Sequence, residues 1–284
     1  MLIMYALFVL IIPFFLHYYM VATNSSILDD KIFYYGLYFI IIIFGTLIPF
    51  FIMRKAFKVP LKKINRNFNF SFTELFVQTI VFFTICIALT YVSNILFAYL
   101  GMEGKLISSI GFSYDEANLE NALYVLMLIV ATPIVEEYAF RGVLLKVLSK
   151  YGKNFGLYAS AVIFALAHLS FVEMIPAFIM GIELGKTSLR YRSIRPTIFI
   201  HMLFNGLIYA LCVIPASITK YMAYGLVAII VIAAYLILSG RYERIRIQKL
   251  RSNRVTNIVF YSRPTIVIAM MLMIIDSVLF LVMK

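Results

Sequence analysis

The sequence predicts an all-α protein, a polytopic transmembrane bundle of eight or nine spans with a cytoplasmic N-terminus, and three observations carry that expectation. Apolar residues fill 63% of the 284 positions and charged residues only 13%, giving a mean hydropathy of +0.97. A water-soluble domain covers its surface with charge at roughly 25% of its composition, so this chain needs the bilayer as solvent. Second, the apolar residues fall in runs of about 20, the length a helix needs to cross roughly 30 Å of hydrocarbon. Third, the bases cluster between those runs and leave their interiors nearly uncharged.

In chain order the runs are 2–22, 32–53, 72–100, 121–145, 155–170, 174–190, 196–212, 219–239 and 264–283. The first has neither a basic n-region nor a small-residue cleavage site and reads as a retained span. Ser71-Phe72-Thr73-Glu74 and Ser113-Tyr114-Asp115-Glu116 have the capping-box form, in which Ser and Glu satisfy the unpaired N–H groups of a first helical turn. Glu74, Asp115 and Glu116 are therefore read as structural.

Orientation follows from the bases. With the N-terminus inside, the cytoplasmic segments hold Arg54 to Arg66, Arg141 to Lys153, Lys186 to Arg195 and Arg241 to Arg263, which takes 21 of the 25 Lys and Arg. Lys31, Lys105, Lys220 and Lys284 stay outside, beside an acidic loop with Glu103 and Glu120. Nine spans fit this alternation, because Lys and Arg are retained on the cytoplasmic side. The stretch from Arg241 to Arg263 suits an amphipathic helix on an anionic leaflet or a solvated loop. Three regions result: 1–120 with three spans and the acidic outer loop, 121–211 as a core, and 212–284 with the last spans and the basic segment.

A net charge of +12 raises nucleic acid as a partner. The bases here sit at membrane boundaries, and the 26 Phe and 20 Tyr are lipid-facing or interfacial, so no nucleic-acid role is expected. Cys86 and Cys212 lie in apolar runs far apart, which excludes a CxxC redox or metal site. The expected surroundings are membrane lipids, in an integral protein of a bacterial cell membrane; the sequence does not set an oligomeric state.

A charged side chain at mid-bilayer costs about 2.5 to 3.5 kcal/mol on insertion scales, so each one needs a reason. Glu136, Glu137, Arg141, His168, His201 and Asn205 remain after loops and helix ends are removed, with Glu183 and Asp276 as outliers. Consecutive helical residues point about 100° apart, so Glu136 and Glu137 cannot share a direction. Glu137 and Arg141, at i and i+4, can pair on one face and leave Glu136 unengaged. Pro133 lacks the backbone N–H and kinks the same span, which fits a helix lining a wet cavity. His201 and Asn205 are again i and i+4 and project together. One carboxylate, two imidazoles and a carboxamide supply the parts for water activation and oxyanion stabilisation. The same set could hold a divalent metal such as zinc through Glu136, His168 and His201.

Bland readings attach to the rest. His17 reads as a packing residue, Glu183 as an interfacial partner of Lys186, and Gly181 and Gly185 as small residues that let helices approach. Asp276 has no assignment.

Three motifs stand in order on successive apolar runs: Glu136-Glu137-x-x-x-Arg141, Phe164-x-x-x-His168 and His201-x-x-x-Asn205. Over roughly residues 121–211 the chain resembles the CAAX prenyl endopeptidase and bacteriocin-processing (CPBP, Abi) family of intramembrane proteases. The resemblance implies that Glu136 is the general base, that Glu137 and Arg141 shape the site, and that His168 assists with water or a metal. It also implies that His201 and Asn205 stabilise the oxyanion. It further implies an intramembrane endopeptidase acting on a membrane-associated or lipidated peptide or protein. A non-catalytic scaffold, a bacteriocin self-immunity protein and a proton-coupled transporter are the alternatives. On linear counting His201 lies roughly 9 Å and Glu136 roughly 15 Å from the cytoplasmic boundary, and His168 lies deeper. Helix tilt or an earlier start of the fifth run must bring His168 level with the others.

Overall fold

The computed structural model describes residues 1–12, 18–19, 23, 31–60, 72–99, 119–168, 171–213 and 263–282, and isolated positions at 225, 228, 231–232, 235 and 260. Among the described residues the chain is helical and holds no extended strand. The short helix α1 (Leu2–Tyr5) runs on through a π-helical turn to Ile11. Helices α2 (Lys31–Ala56) and α3 (Phe72–Tyr99) follow. Next comes one continuous helical path broken in register: α4 (Leu119–Val125), a π-turn Leu126–Ala131, α5 (Thr132–Glu136), a second π-turn Glu137–Leu144, α6 (Leu145–Leu148) and a 3-10 turn to Tyr151. Helices α7 (Lys153–Leu166), α8 (Phe171–Tyr191), α9 (Arg195–Val213) and α10 (Pro264–Val282) complete it.

From Lys31 onward these helices begin and end within about six residues of the apolar runs, because helix formation satisfies every backbone group within the segment. Among the described residues two helices are long and apolar enough to cross a membrane, Phe39–Ala56 and Ala122–Tyr151. Most of the run at 219–239, both capping-box serines, the Glu74 side chain, His17 and Asp276's side chain lie outside what is described.

Two packed layers hold the site from behind. In one, Tyr5 meets Phe50 and Phe140 edge-on at 5.4 and 5.8 Å between ring centres, and Phe140 meets Phe164 at 5.1 Å. Edge-to-face rings at this spacing gain about 0.5–1.5 kcal/mol beyond their area burial. The α1 and α2 helices thus back the broken helix that carries Glu136. In the other, Leu75, Phe82 and Cys86 of α3 pack on Met180, Leu184 and Tyr191 of α8 and Ile200 of α9. A buried bond from Gln78 Nε2 to Thr187 Oγ1, 2.7 Å, pins α3 to α8.

Helices α7 and α8 lie unusually close, and the glycines explain it. A β-carbon at Gly181 would stand 3.0 Å from the Ala161 backbone, and one at Gly185 only 2.5 Å from a Leu157 methyl. The small-residue reading of both glycines holds. Gly152 turns the chain between Tyr151 and α7 at φ 138°, a conformation closed to residues with a β-carbon.

Candidate active site

The six residues singled out from sequence come together, in two layers of different character. Glu136, His168, His201 and Asn205 line one cavity of about 350 Å³. Glu137 and Arg141 lie behind its wall and are sealed from solvent, at 0% and 2% exposure.

The rear layer is an ion pair with an imidazole added. Arg141 Nη1 donates to Glu137 Oε1 at 2.7 Å, the i, i+4 pair expected from spacing. His201 Nδ1 donates to the same oxygen at 2.9 Å. A carboxylate already receiving from Arg141 can only accept, so the Nδ1 proton is fixed on His201. Phe164 closes the layer: the Arg141 guanidinium carbon stands 4.0 Å from its ring centre, a cation–π contact in a dry setting. The letter Phe164 in the motif thus acquires a physical task that the sequence alone does not show.

His201 joins the two layers. Its Nε2 lies 3.8 Å from Glu136 Oε2, while Nδ1 is held by Glu137. Glu136 is the carboxylate turned toward the cavity, with about a fifth of its side chain exposed (22%).

His168 sits where the sequence did not put it. Helix α7 ends at Leu166, and Ala167 and His168 form the turn after it, not a deeper stretch of helix. His168 Nδ1 is 2.9 Å from the Phe164 carbonyl, which also accepts the Ala167 backbone N–H at 3.2 Å, so the ring adds a second bond at the helix end. A carbonyl cannot donate, so the neutral ring carries its proton on Nδ1 and leaves Nε2 as a lone pair. Helix α7 begins at Lys153, two residues before the apolar run, and His168 lines the same cavity as Glu136 and His201.

Asn205 also has a backbone partner, its Nδ2 donating to the Leu128 carbonyl at 2.9 Å. The remaining cavity wall is mostly apolar, with Ile87, Met180, Phe204 and Ile208, and with Glu173, Thr90 and Thr132 as further polar members. Sequence reasoning missed Glu173. The sixth apolar run begins at 174, which leaves Glu173 in a loop, whereas α8 starts at Phe171 and carries this acid in its first turn. Glu183 behaves as read, paired with Lys186 on the same helix away from the cavity.

Among the described residues, no three His, Cys, Asp or Glu side chains already stand together as a metal-ligand set.

The helices thus enclose a carboxylate, two imidazoles and a carboxamide in a mainly apolar cavity. Residues 118–207 match the family model described as Type II CAAX prenyl endopeptidase Rce1-like, which supports the resemblance to the CAAX prenyl endopeptidase and bacteriocin-processing family. That family is one of membrane-embedded proteases. No curated protein and no solved structure matches the chain.

Proposed function

We propose that the chain is an intramembrane endopeptidase that hydrolyses a peptide bond of a membrane-associated or lipidated peptide or protein, with Glu136 as the base that activates water. The observation that supports this most is the split of the two glutamates. One is locked with Arg141 and His201 behind the wall, and its neighbour faces the cavity beside His201 Nε2.

In this reading Glu136 takes a proton from water as the oxygen attacks the peptide carbonyl carbon. When His201 carries a proton on both ring nitrogens, the oxyanion forms against its Nε2–H, and the Glu137 carboxylate behind Nδ1 stabilises that imidazolium, much as a buried carboxylate does in hydrolytic triads. Glu136 then returns its proton to the nitrogen as the C–N bond breaks. His168 Nε2, an acceptor, orients the water. Asn205 carries two amide protons, of which Leu128 takes one.

The apolar wall suits a lipid-exposed or lipidated segment. Nine spans with the N-terminus inside rest on the distribution of bases, and a bacterial cell-membrane location on the Ile, Phe, Asn and Lys bias of the sequence. A resident metal held by Glu136, His168 and His201 would supply Lewis-acid activation of the same water.

The test compares membrane proteomes and released peptides of cells expressing the wild-type chain, Glu136→Ala and His201→Ala. New protein termini with the wild type alone are expected. A phenotype that needs the protein yet survives both substitutions overturns the protease reading in favour of a scaffold, immunity or transport role. Loss of cleavage on chelation with recovery on zinc assigns the metal.

A further inference from the structure

We propose that Asn205 is a positioning residue: its carboxamide stands in for the N–H that Pro133 lacks, and so holds the π-turn that aims Glu136 into the cavity. The backbone register makes the case. In a π-turn each N–H bonds the carbonyl five residues back. That register operates at Thr132, whose N–H reaches the Met127 carbonyl. The next bond in the same register would run from residue 133 to Leu128, and residue 133 is Pro, which has no N–H. The Leu128 carbonyl is the one that Asn205 Nδ2 meets, at 2.9 Å.

The choice of side chain follows. The partner must donate to a carbonyl across a helix–helix gap, which Asn does and Asp, an acceptor when ionised, does not. Leu128, Asn205 and Glu136 all border the cavity, so the bond lies in its wall. Glu136 is three residues beyond Pro133, at the end of α5 and just before the second π-turn. Relaxing the first π-turn to ordinary helix removes one residue of rotation, about 100°, between α4 and α5. Such a rotation is what separates the directions of Glu136 and Glu137. Asn205 thus ties α9, which also carries His201, to the break that sets which glutamate faces the cavity.

The proposal deepens the protease reading, and its structural arm stands apart from it. The full-length chain in detergent or nanodiscs is compared as wild type, Asn205→Leu, Pro133→Ala and the double variant, by hydrogen exchange across residues 126–137 and by hydrolysis of a farnesylated CAAX peptide. Asn205→Leu is expected to speed exchange at these amides about tenfold, the size of one lost hydrogen bond. It is expected to lower turnover about 100-fold through misplacement of Glu136. Pro133→Ala restores an N–H at 133, so the double variant is expected to return to within about threefold of Pro133→Ala in both readouts, with amide 133 itself protected. Exchange unchanged by Asn205→Leu, or a double variant no better than Asn205→Leu, overturns the proposal. Exchange rescued while turnover stays lost also overturns it, and assigns Asn205 to direct contact with substrate. If wild type does not cleave the peptide, the protease reading is what fails on this probe, and the exchange pattern decides the positioning role. If Asn205→Leu does not fold, a folded double variant is the expected rescue, and an unfolded one counts against it.

Discussion

Glu136 and Glu137 are adjacent in sequence and end in opposite surroundings, one on the cavity face and one in the sealed layer behind it. Glu137 has its charge matched by Arg141 and shared with His201, with Phe164 closing over the guanidinium. Among the described residues, Glu136 has the edge of His201 at 3.8 Å, the charge of Arg141 behind the wall, and the open cavity. The contrast separates two costs that are often merged. A buried charge must be neutralised to exist at all, whereas a charge that is to accept a proton must keep its lone pairs available. The molecule spends one glutamate on each requirement.

The sharpest way to break this comparison is Glu136→Gln, which keeps volume and removes the base. Turnover is expected to fall about 10²–10⁴-fold, with the unfolding midpoint in detergent nearly unchanged. Comparable loss of stability would mean that Glu136 is structural after all.

Glu137→Ala is expected to do the reverse. Arg141 and His201 lose their shared acceptor while remaining buried, and breaking one side of a buried pair costs about 3–5 kcal/mol. The measurement is denaturant or thermal unfolding of the purified chain, alongside Arg141→Met and the double variant. The double variant is expected to be less destabilised than the sum, because no unpaired charge is left. Strict additivity would mean that the two side chains do not act as a pair.

Much of this layering is legible in the letters, and the reasons are geometric. The Glu137–Arg141 pair and the shared direction of His201 and Asn205 follow from helical spacing alone, and both survive because those segments remain helical. What spacing does not show is a change of register. Nothing in Leu126–Ala131 announces a π-turn; only Pro133 hints at one, and the partner that completes it, Asn205, lies 77 residues away. The apolar run 155–170 puts His168 inside a span, yet the helix stops at Leu166 and the histidine turns back onto the Phe164 carbonyl. Glu173 was lost for the related reason that hydrophobicity marks the interior of a helix better than its first turn.

A smaller effect probes the rear layer without removing a charge. Phe164→Leu keeps an apolar side chain under Arg141 but removes the ring's negative face, as well as its contacts with Phe140 and His168. A desolvated cation–π contact is worth about 2 kcal/mol, so the loss is expected to fall near that figure, below that of Glu137→Ala. Unfolding of the purified Phe164→Leu variant measures the loss, and an unchanged midpoint would mean that the ring does not hold the guanidinium.

The smallest effect is the most useful control. Glu183 and Lys186 form an ion pair on α8 at i, i+3, with side chains 20% and 27% exposed. On formal grounds it resembles Glu137 and Arg141: opposite charges, one helical turn apart. Partial exposure lets water and salt screen it, and such helical pairs contribute about 0.3–0.5 kcal/mol. Glu183→Gln is therefore expected to shift stability by less than about 1 kcal/mol and to leave turnover unchanged, with the shift shrinking further as salt rises. A loss rivalling that of Glu137→Ala would show that pairing, and not burial, sets the cost. The distinction between the cavity face and the sealed layer would then have to rest on the position of Glu136 alone.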